Sequence, residues 1–185
     1  MKVTTSVTIT LTALVGLLLL GSGCASGYTR GPGTQPATAM RASTTRPVSS
    51  VEIALTAEVK ERLKNSLRFD QETLQSSVEL ALSNRQLLDK QKKEGTLNLH
   101  ITITHVRVRN TFNAVMWGFM SGNDSINGDV ELKDQTGATT DTFHIETSYA
   151  LGGFAGGQDS ARMNWLYEAF AKQVVSALLG EEKKG

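Results

Sequence analysis

The thiol of Cys24 is the one sulfur nucleophile that the sequence offers, because the chain contains a single cysteine. It closes a long apolar stretch: Lys2 supplies a positive start, residues 7–20 carry no charge, and residues 21–23 are Gly, Ser and Gly. This is the layout of an export signal that ends in a small-residue processing site. A thiol at that junction is suited to receive diacylglycerol and to become the first residue of the mature protein. The sequence therefore predicts a signal peptide over residues 1–23 and lipidation of Cys24.

The residues before Cys24 resemble a bacterial lipobox, which usually reads Leu, then Ala, Ser or Thr, then Gly or Ala, then Cys. Ser22 and Gly23 fit this pattern, whereas Gly21 stands where Leu is usual. Two alternatives stay open. An ordinary signal peptidase could cut near Gly23 or Ser26 and release a soluble periplasmic protein. The segment could also remain as an uncleaved anchor, although its apolar core is shorter than the roughly 20 residues that a spanning helix prefers.

No other residue pattern predicts catalysis, a metal or a cofactor. Acylation of Cys24 would remove the only thiol, so neither a disulfide nor a cysteine nucleophile is expected. The three histidines, at 100, 105 and 144, lack the spacing of a zinc site. Ser160, beside Asp159, lies in no nucleophile elbow, and either residue is suited to cap a helix. The glycines of residues 152–157 lack the spacing of a phosphate-binding loop, so a flexible connection is expected there.

The segment of residues 115–120 is the strongest candidate for a binding surface. It joins two predicted strands yet carries Met116, Trp117, Phe119 and Met120. Loops are normally polar, so large apolar side chains there suit a partner groove or a lipid surface. The alternative is that they fold back and close the end of the core. Trp165 points away from the apolar stripe of its predicted helix and could extend the same surface or lie against the arginine-containing segment before residue 50. These five side chains are the predicted partner-binding residues.

The composition changes near residue 50 and divides the chain. Residues 24–50 are predicted to be the acylated cysteine and a flexible tether, because they hold all three prolines and their only charges are Arg30, Arg41 and Arg46. Residues 51–185 then form one domain of ordinary size. That domain carries 15 basic and 18 acidic side chains. A net negative charge argues against nucleic acid as a partner, since nucleic-acid binders present a basic face.

Hydrophobic periodicity predicts the element order β-α-β-β-β-α. The predicted strands are 51–59, 97–104, 126–133 and 138–150, and the predicted helices are 70–90 and 160–180. Asp70 is the expected N-cap of the first helix, and a change of phase near 104–105 predicts a β-bulge. After that bulge, Arg107 and Arg109 are expected to share a solvated basic face with His105. The expected fold is α+β, an antiparallel sheet of about four strands with two helices on one face.

Three stretches carry a family resemblance: Asn-Gly-Asp-Val-Glu-Leu-Lys-Asp-Gln-Thr-Gly at 127–137, the glycine loop of 152–157, and the helix of 159–179. Together they resemble the domain-of-unknown-function family forty-four-ten, a family of bacterial envelope lipoproteins, over about residues 51–180. The resemblance implies a periplasm-facing lipoprotein, usually of the outer membrane, with no established enzymatic activity. Ala25, where retained lipoproteins carry Asp, is similar to lipoproteins sorted to the outer membrane.

The expected function follows from these features together. We expect an outer-membrane lipoprotein, held in the lipid bilayer through acylated Cys24 and facing the periplasm, that contacts another envelope protein without catalysis. The alternative is a small-ligand or glycan-binding module that uses the glycine loop and a strand face. A hydrolase whose carboxylates the sequence does not pair is a third possibility.

Overall fold

Strands of alternating apolar residues and helices with an apolar stripe make up the described part of the chain. The structure, a computed structural model, describes residues 26–31, 46–64, 69–91, 94–109, 123–149 and 159–181. In chain order its elements are β1 (Gly27–Arg30), β2 (Val48–Leu55), α1 (Ala57–Leu63), α2 (Gln71–Asn84), β3 (Leu97–Arg107), β4 (Asp124–Lys133), β5 (Thr139–Tyr149) and α3 (Asp159–Leu179). The α+β class expected from the sequence is confirmed.

The described strands form one sheet in the order β1-β5-β4-β3-β2. Its neighbours are antiparallel except β2 and β3, which run parallel. The sheet is therefore mixed and five-stranded, which corrects the expected antiparallel sheet of about four strands. The direction of β2 differs because α1 and α2 carry the chain between β2 and β3, and a crossover of that length lets the next strand start from the same end of the sheet.

One face of the sheet is covered by α2 and α3, and the core lies between them. The inward residues of β3 are Leu97, Leu99, Ile101 and Ile103, all buried. Pairing of β3 with β4 shifts register between Ile103 and His105, and the extra residue turns Val106 to the buried face. The β-bulge predicted near 104–105 is confirmed.

The first predicted strand ends earlier than expected, because residues 57–63 form α1. Thr56 is the N-cap of this helix, and its hydroxyl oxygen accepts a hydrogen bond from the Val59 amide at 3.3 Å. This cap accounts for the change from strand to helix within a stretch whose apolar residues alternate throughout.

Helix α2 begins as predicted and ends earlier. Asp70 is its N-cap, with Oδ1 accepting a hydrogen bond from the Thr73 amide at 2.9 Å. The helix ends at Asn84 rather than near residue 90. The chain leaves the helix because the next residues bond to the start of β2: the Val48 amide donates to the Leu87 carbonyl at 2.7 Å, and the Asp89 amide donates to the Val48 carbonyl at 2.8 Å.

Helix α3 packs closely against the middle of the sheet. Its predicted apolar stripe is buried, comprising Met163, Leu166, Tyr167, Phe170, Val174, Ala177 and Leu178. Gly128 of β4 permits the close approach, since a Cβ at this position would lie 3.2 Å from Cζ of Phe170 and 3.2 Å from Cδ1 of Ile103. Gly180, with φ +63°, follows the helix in the left-handed conformation that glycine favours.

The structure differs from the predicted tether of 24–50 at two places. Residues 27–30 form β1 beside β5, and residues 48–50 belong to β2. Strand β1 forms because Tyr28 and Arg30, two residues apart, both lie on the helix-covered face of the sheet and bond the carboxyl end of α3. Residues 1–25 and 32–45 lie outside the described residues.

Candidate functional site

Two side chains hold β1 to the carboxyl end of α3. Nη1 of Arg30 donates to Oδ2 of Asp141 at 2.6 Å, and Nη2 donates to the Ala177 carbonyl at 2.8 Å. The Tyr28 hydroxyl donates to the Glu181 carbonyl at 3.1 Å. Carbonyls at a helix carboxyl end lack partners within the helix and favour a nearby cation. The amino-terminal strand is therefore bonded to the helical layer as well as to the sheet.

The first described residue, Ser26, is fixed to the end of β5. Its hydroxyl accepts a hydrogen bond from the Ser148 amide at 3.2 Å and donates to the Ser148 carbonyl at 3.4 Å. Only Ala25 separates Ser26 from Cys24. Two residues of extended chain span at most about 7 Å. The connection from Ser26 to Cys24 is therefore at most about 7 Å long.

A buried ionic cluster occupies the same end of the sheet. Asp124 is 1 % exposed, Arg162 2 % and Arg109 5 %. Oδ1 of Asp124 accepts a hydrogen bond from the Arg109 amide at 2.7 Å, and Oδ2 lies 3.3 Å from Nη2 of Arg109 and 3.6 Å from Nη1 of Arg162. Nη2 of Arg162 also donates to the Arg109 carbonyl at 3.1 Å. The cluster thereby joins the residues after β3 to the first residue of β4 and to the first turn of α3.

The expectation that Arg107 and Arg109 share a solvated face with His105 is wrong for Arg109. Arg107, the last residue of β3, is exposed. Arg109 lies beyond the strand, where the alternation of faces no longer applies, and its guanidinium is drawn inward by the buried carboxylate of Asp124. Nothing in the local sequence marks this pair, because the two residues are 15 positions apart and Asp124 belongs to the following strand, β4.

Trp165 is 43 % exposed, as its position on the predicted helix indicated. Its indole packs on the ring of Tyr149, with ring centroids 5.4 Å apart and planes inclined at 52°. Tyr149 directly follows Ser148, the residue that bonds Ser26. An exposed aromatic pair and the point at which the amino-terminal segment enters the fold therefore share one end of the domain.

A groove of about 460 Å³ lies between α2 and α3. Its apolar lining includes Leu80, Ala81, Ala171 and Val175, and its charged lining consists of Arg85, Glu168 and Lys172. Leu80 is 62 % exposed. The sequence analysis did not single out Leu80. Helical spacing places Leu80 off the buried stripe of α2, and the same kind of signal identified Trp165 on α3.

The sheet face opposite the helices carries histidine–carboxylate pairs. Nδ1 of His100 lies 3.0 Å from Oε2 of Glu52, and Nδ1 of His144 lies 2.6 Å from Oδ1 of Asp129. Within the described ranges, no group of three or more His, Cys, Asp or Glu residues is placed to hold a metal ion. The described helices include none with the length and apolar character needed to cross a bilayer.

Several residues singled out from the sequence lie outside the described residues. They are Cys24, Met116, Trp117, Phe119, Met120 and the glycine loop of 152–157. Lipidation of Cys24 and partner binding by residues 115–120 therefore stay predictions. Trp165 is the predicted partner-binding residue that the structure describes.

The fold defines the chain as an α+β domain in which helices cover one face of a mixed sheet. The chain belongs to the family described as Domain of unknown function (DUF4410), whose model matches residues 35–153. The family named from the sequence is thereby confirmed, over residues 35–153 rather than about 51–180, and the lipoprotein nature that the resemblance implies stays a prediction. The matched range includes all of β2 to β5.

The chain is also similar to solved structures of PelC dodecamers from Paraburkholderia phytofirmans. A point variant of PelC is 14 % identical, and a second PelC structure is 13 % identical. The alignments cover 86 % and 87 % of this chain and 100 % of the PelC chain, each with a TM-score of 0.46. None of the curated proteins matches the chain significantly.

Proposed function

We propose that the protein is an outer-membrane lipoprotein, anchored through acylated Cys24 and facing the periplasm, whose domain binds another envelope protein without catalysis. The observation that carries the binding role is the groove between α2 and α3, beside which Leu80 exposes 62 % of its surface. Full burial of an exposed leucine contributes about 1.5–3 kcal/mol, and Leu80 retains 62 % of its surface to bury. A partner that binds in the groove and covers Leu80 would therefore gain free energy from its burial.

The lining of the groove suits a protein partner. Apolar residues of both helices lie next to Arg85, Glu168 and Lys172. An apolar centre with charged neighbours is the usual composition of a protein–protein contact, in which the centre contributes free energy and the rim contributes specificity. The anchor is supported by the lipobox-like residues and by membership of a family that the resemblance links to envelope lipoproteins.

The anchor is tested by mass spectrometry of the intact protein purified from membranes. We expect the mass of a chain that starts at Cys24 and carries a diacylglyceryl group and a further acyl chain. A Cys24→Ser variant is expected to escape this processing, so that neither the chain cleaved before residue 24 nor the acylated mass appears. Unchanged processing and membrane association of this variant would show that the anchor is not a lipid on Cys24.

The binding role is tested by crosslinking in cells. A photoreactive residue replaces Leu80, a second replaces Phe119 in the predicted contact segment, and the control replaces Thr102, which is exposed on a strand of the sheet. We expect a discrete protein adduct from position 80 and none from position 102. Adducts in equal yield from all three positions, or no protein adduct from 80 or 119, would contradict the proposed role.

A small ligand or glycan is the second candidate for this groove, because about 460 Å³ lies within the range of small-molecule sites. A ligand that binds only the folded state raises the melting temperature. A rise with one glycan class, lost in Lys172→Ala and kept in the exposed control Lys60→Ala, would favour this function over partner binding.

A further inference from the structure

We infer that one end of the domain, formed by Ser26, Ser148, Tyr149 and Trp165, rests on the bilayer surface with the Trp165 indole in the interfacial layer. We call these four residues the anchor-proximal end. The inference rests on the proposed lipid anchor and adds an orientation to it. It assigns Trp165, one of the predicted partner-binding residues, to a lipid surface, which is one of the two kinds of surface that the sequence analysis left open.

The first support is the length of chain between the lipid and the fold. Ser26 is bonded to Ser148, and the sulfur that would carry the lipid lies two residues earlier. That connection reaches about 7 Å, whereas the opposite end of β5, at Thr139, lies about 33 Å along the strand from Tyr149. An anchor this short reaches the membrane when the anchor-proximal end faces the lipid. It does not reach the membrane if β5 stands perpendicular to the bilayer with the β4–β5 hairpin towards the lipid.

The second support is the chemistry of the anchor-proximal end. Trp and Tyr have apolar rings with one polar group each, and they are enriched at the level of lipid headgroups. Trp165 is 43 % exposed and is held by its contact with Tyr149, so its ring is presented in a defined position. The anchor makes the contact of Trp165 with the bilayer intramolecular, so a weak interaction suffices to orient the domain.

The third support is the distribution of charge around the sheet. The open sheet face carries the exposed carboxylates of Glu52 and Asp129, which anionic headgroups would repel if the domain lay flat on that face. Arg107 is exposed at the level of the anchor-proximal end, since it pairs with Ser125, and Ser125 pairs with Ser148. The charges therefore favour an upright domain with Trp165 towards the lipid.

Site-directed spin labelling tests the orientation. Acylation leaves the mature chain without a free thiol, so Asn164→Cys and Thr140→Cys can each be labelled specifically with a nitroxide. Both positions are exposed; Asn164 adjoins Trp165, and Thr140 lies at the opposite end of the sheet. The lipidated proteins are placed in vesicles of phosphatidylethanolamine and phosphatidylglycerol. Collisions of the label are measured with oxygen, which concentrates in lipid, and with a water-soluble nickel chelate.

We expect the label at 164 to collide several-fold less often with nickel and more often with oxygen than the label at 140. Chains that begin at Ser26 and carry the same two labels lack both the apolar segment and Cys24, and they provide the baseline. Trp165→Ser is expected to bring the accessibility at 164 towards that at 140 while the protein stays membrane-bound, and circular dichroism confirms that this variant is folded.

The outcomes separate the orientation from the anchor. A mass without diacylglyceryl overturns both the lipid anchor and the orientation that rests on it. A lipidated protein with equal accessibilities at 164 and 140 overturns the orientation alone. A photoreactive residue at 165 that yields a discrete protein adduct in cells would assign Trp165 to a protein partner instead and would overturn the inference.

Discussion

The guanidinium of Arg30 and the carboxylate of Asp141 form a 2.6 Å salt bridge between residues 111 positions apart. The Asp141 side chain is 2 % exposed, and a carboxylate so buried requires a partner. Arg30 belongs to the stretch that the sequence predicted as a tether. This pair makes the residues directly after Cys24 part of the fold, so the distance between the proposed anchor and the domain is set by residues 24–26.

Two insertions of equal length are expected to act differently. An insert of about ten Gly and Ser residues spans about 18 Å as a flexible chain. Placed between Ala25 and Ser26, it lets the domain leave the membrane surface, and a nitroxide at Asn164→Cys becomes accessible to nickel. Placed after residue 38, between β1 and β2, it leaves the accessibility unchanged because β1 still holds the anchor close. Equal effects of both inserts would show that β1 does not stay docked.

The Arg30→Ala substitution is expected to lower the free energy of unfolding by about 3 kcal/mol, because it leaves the buried carboxylate of Asp141 unpaired. Arg46→Ala is the matched control from the same predicted tether. Arg46 donates from Nε to the Gly95 carbonyl at 2.8 Å in an exposed setting, so its loss is expected to cost under about 1 kcal/mol. Urea denaturation of the two variants measures the difference, and equal losses would contradict the role given to Arg30.

Gly128→Ala is expected to destabilise the domain by about 1–3 kcal/mol, since the new methyl group would press on Phe170 and Ile103 at 3.2 Å. Gly27→Ala, on β1, is the control: a Cβ there meets nothing within 4 Å. Its effect is expected to lie within about 0.5 kcal/mol. Thermal unfolding of both variants tests the packing, and a neutral Gly128→Ala would mean that α3 can move off the sheet at no cost.

The stability of the domain is expected to fall in alkaline solution through Tyr167. Burial raises the pKa of Tyr167 from 10.0 to about 12, while the hydrogen bond that its hydroxyl accepts from the Asp70 amide opposes the shift. Because the pKa of Tyr167 is higher in the folded state, the stabilisation by its protonated hydroxyl is complete below pH 10.0. This stabilisation is lost as the pH rises towards about 12.

A shift of this size corresponds to a loss of about 2–3 kcal/mol. The measurement compares urea midpoints of the natural chain and Tyr167→Phe from pH 8 to 12. The additional fall in the urea midpoint at alkaline pH is expected only in the natural chain. Parallel pH profiles for the two proteins would show that Tyr167 ionises in the folded state as readily as in the unfolded chain.

The elements that local pattern determines were predictable from the sequence. The Asp70 cap, the phase change near 104–105 and the stripe of α3 each depend on residues a few positions apart. The exposure of Trp165 followed from the same helical spacing, and that spacing would also have identified Leu80.

The elements determined by long-range partners were not predictable. Strand β1 has four residues, too few for a periodic signal, and Tyr28 bonds a carbonyl 153 positions away. The burial of Arg109 depends on Asp124, and the early end of α2 depends on bonds to Val48. In each case a local pattern allows two outcomes, and a partner elsewhere in the chain decides between them.

The docking of β1 has a consequence for the order of events in the proposed export and lipidation. A strand whose partners are β5 and the carboxyl end of α3 cannot form until nearly the whole domain has been synthesised and folded. The enzymes of the proposed cleavage and acylation would need access to the residues around Cys24, and the folded sheet begins three residues later, at Gly27. In the proposed pathway, the late docking of β1 leaves an interval in which the processing site is accessible, and its completion then holds the residues after Cys24 against the domain.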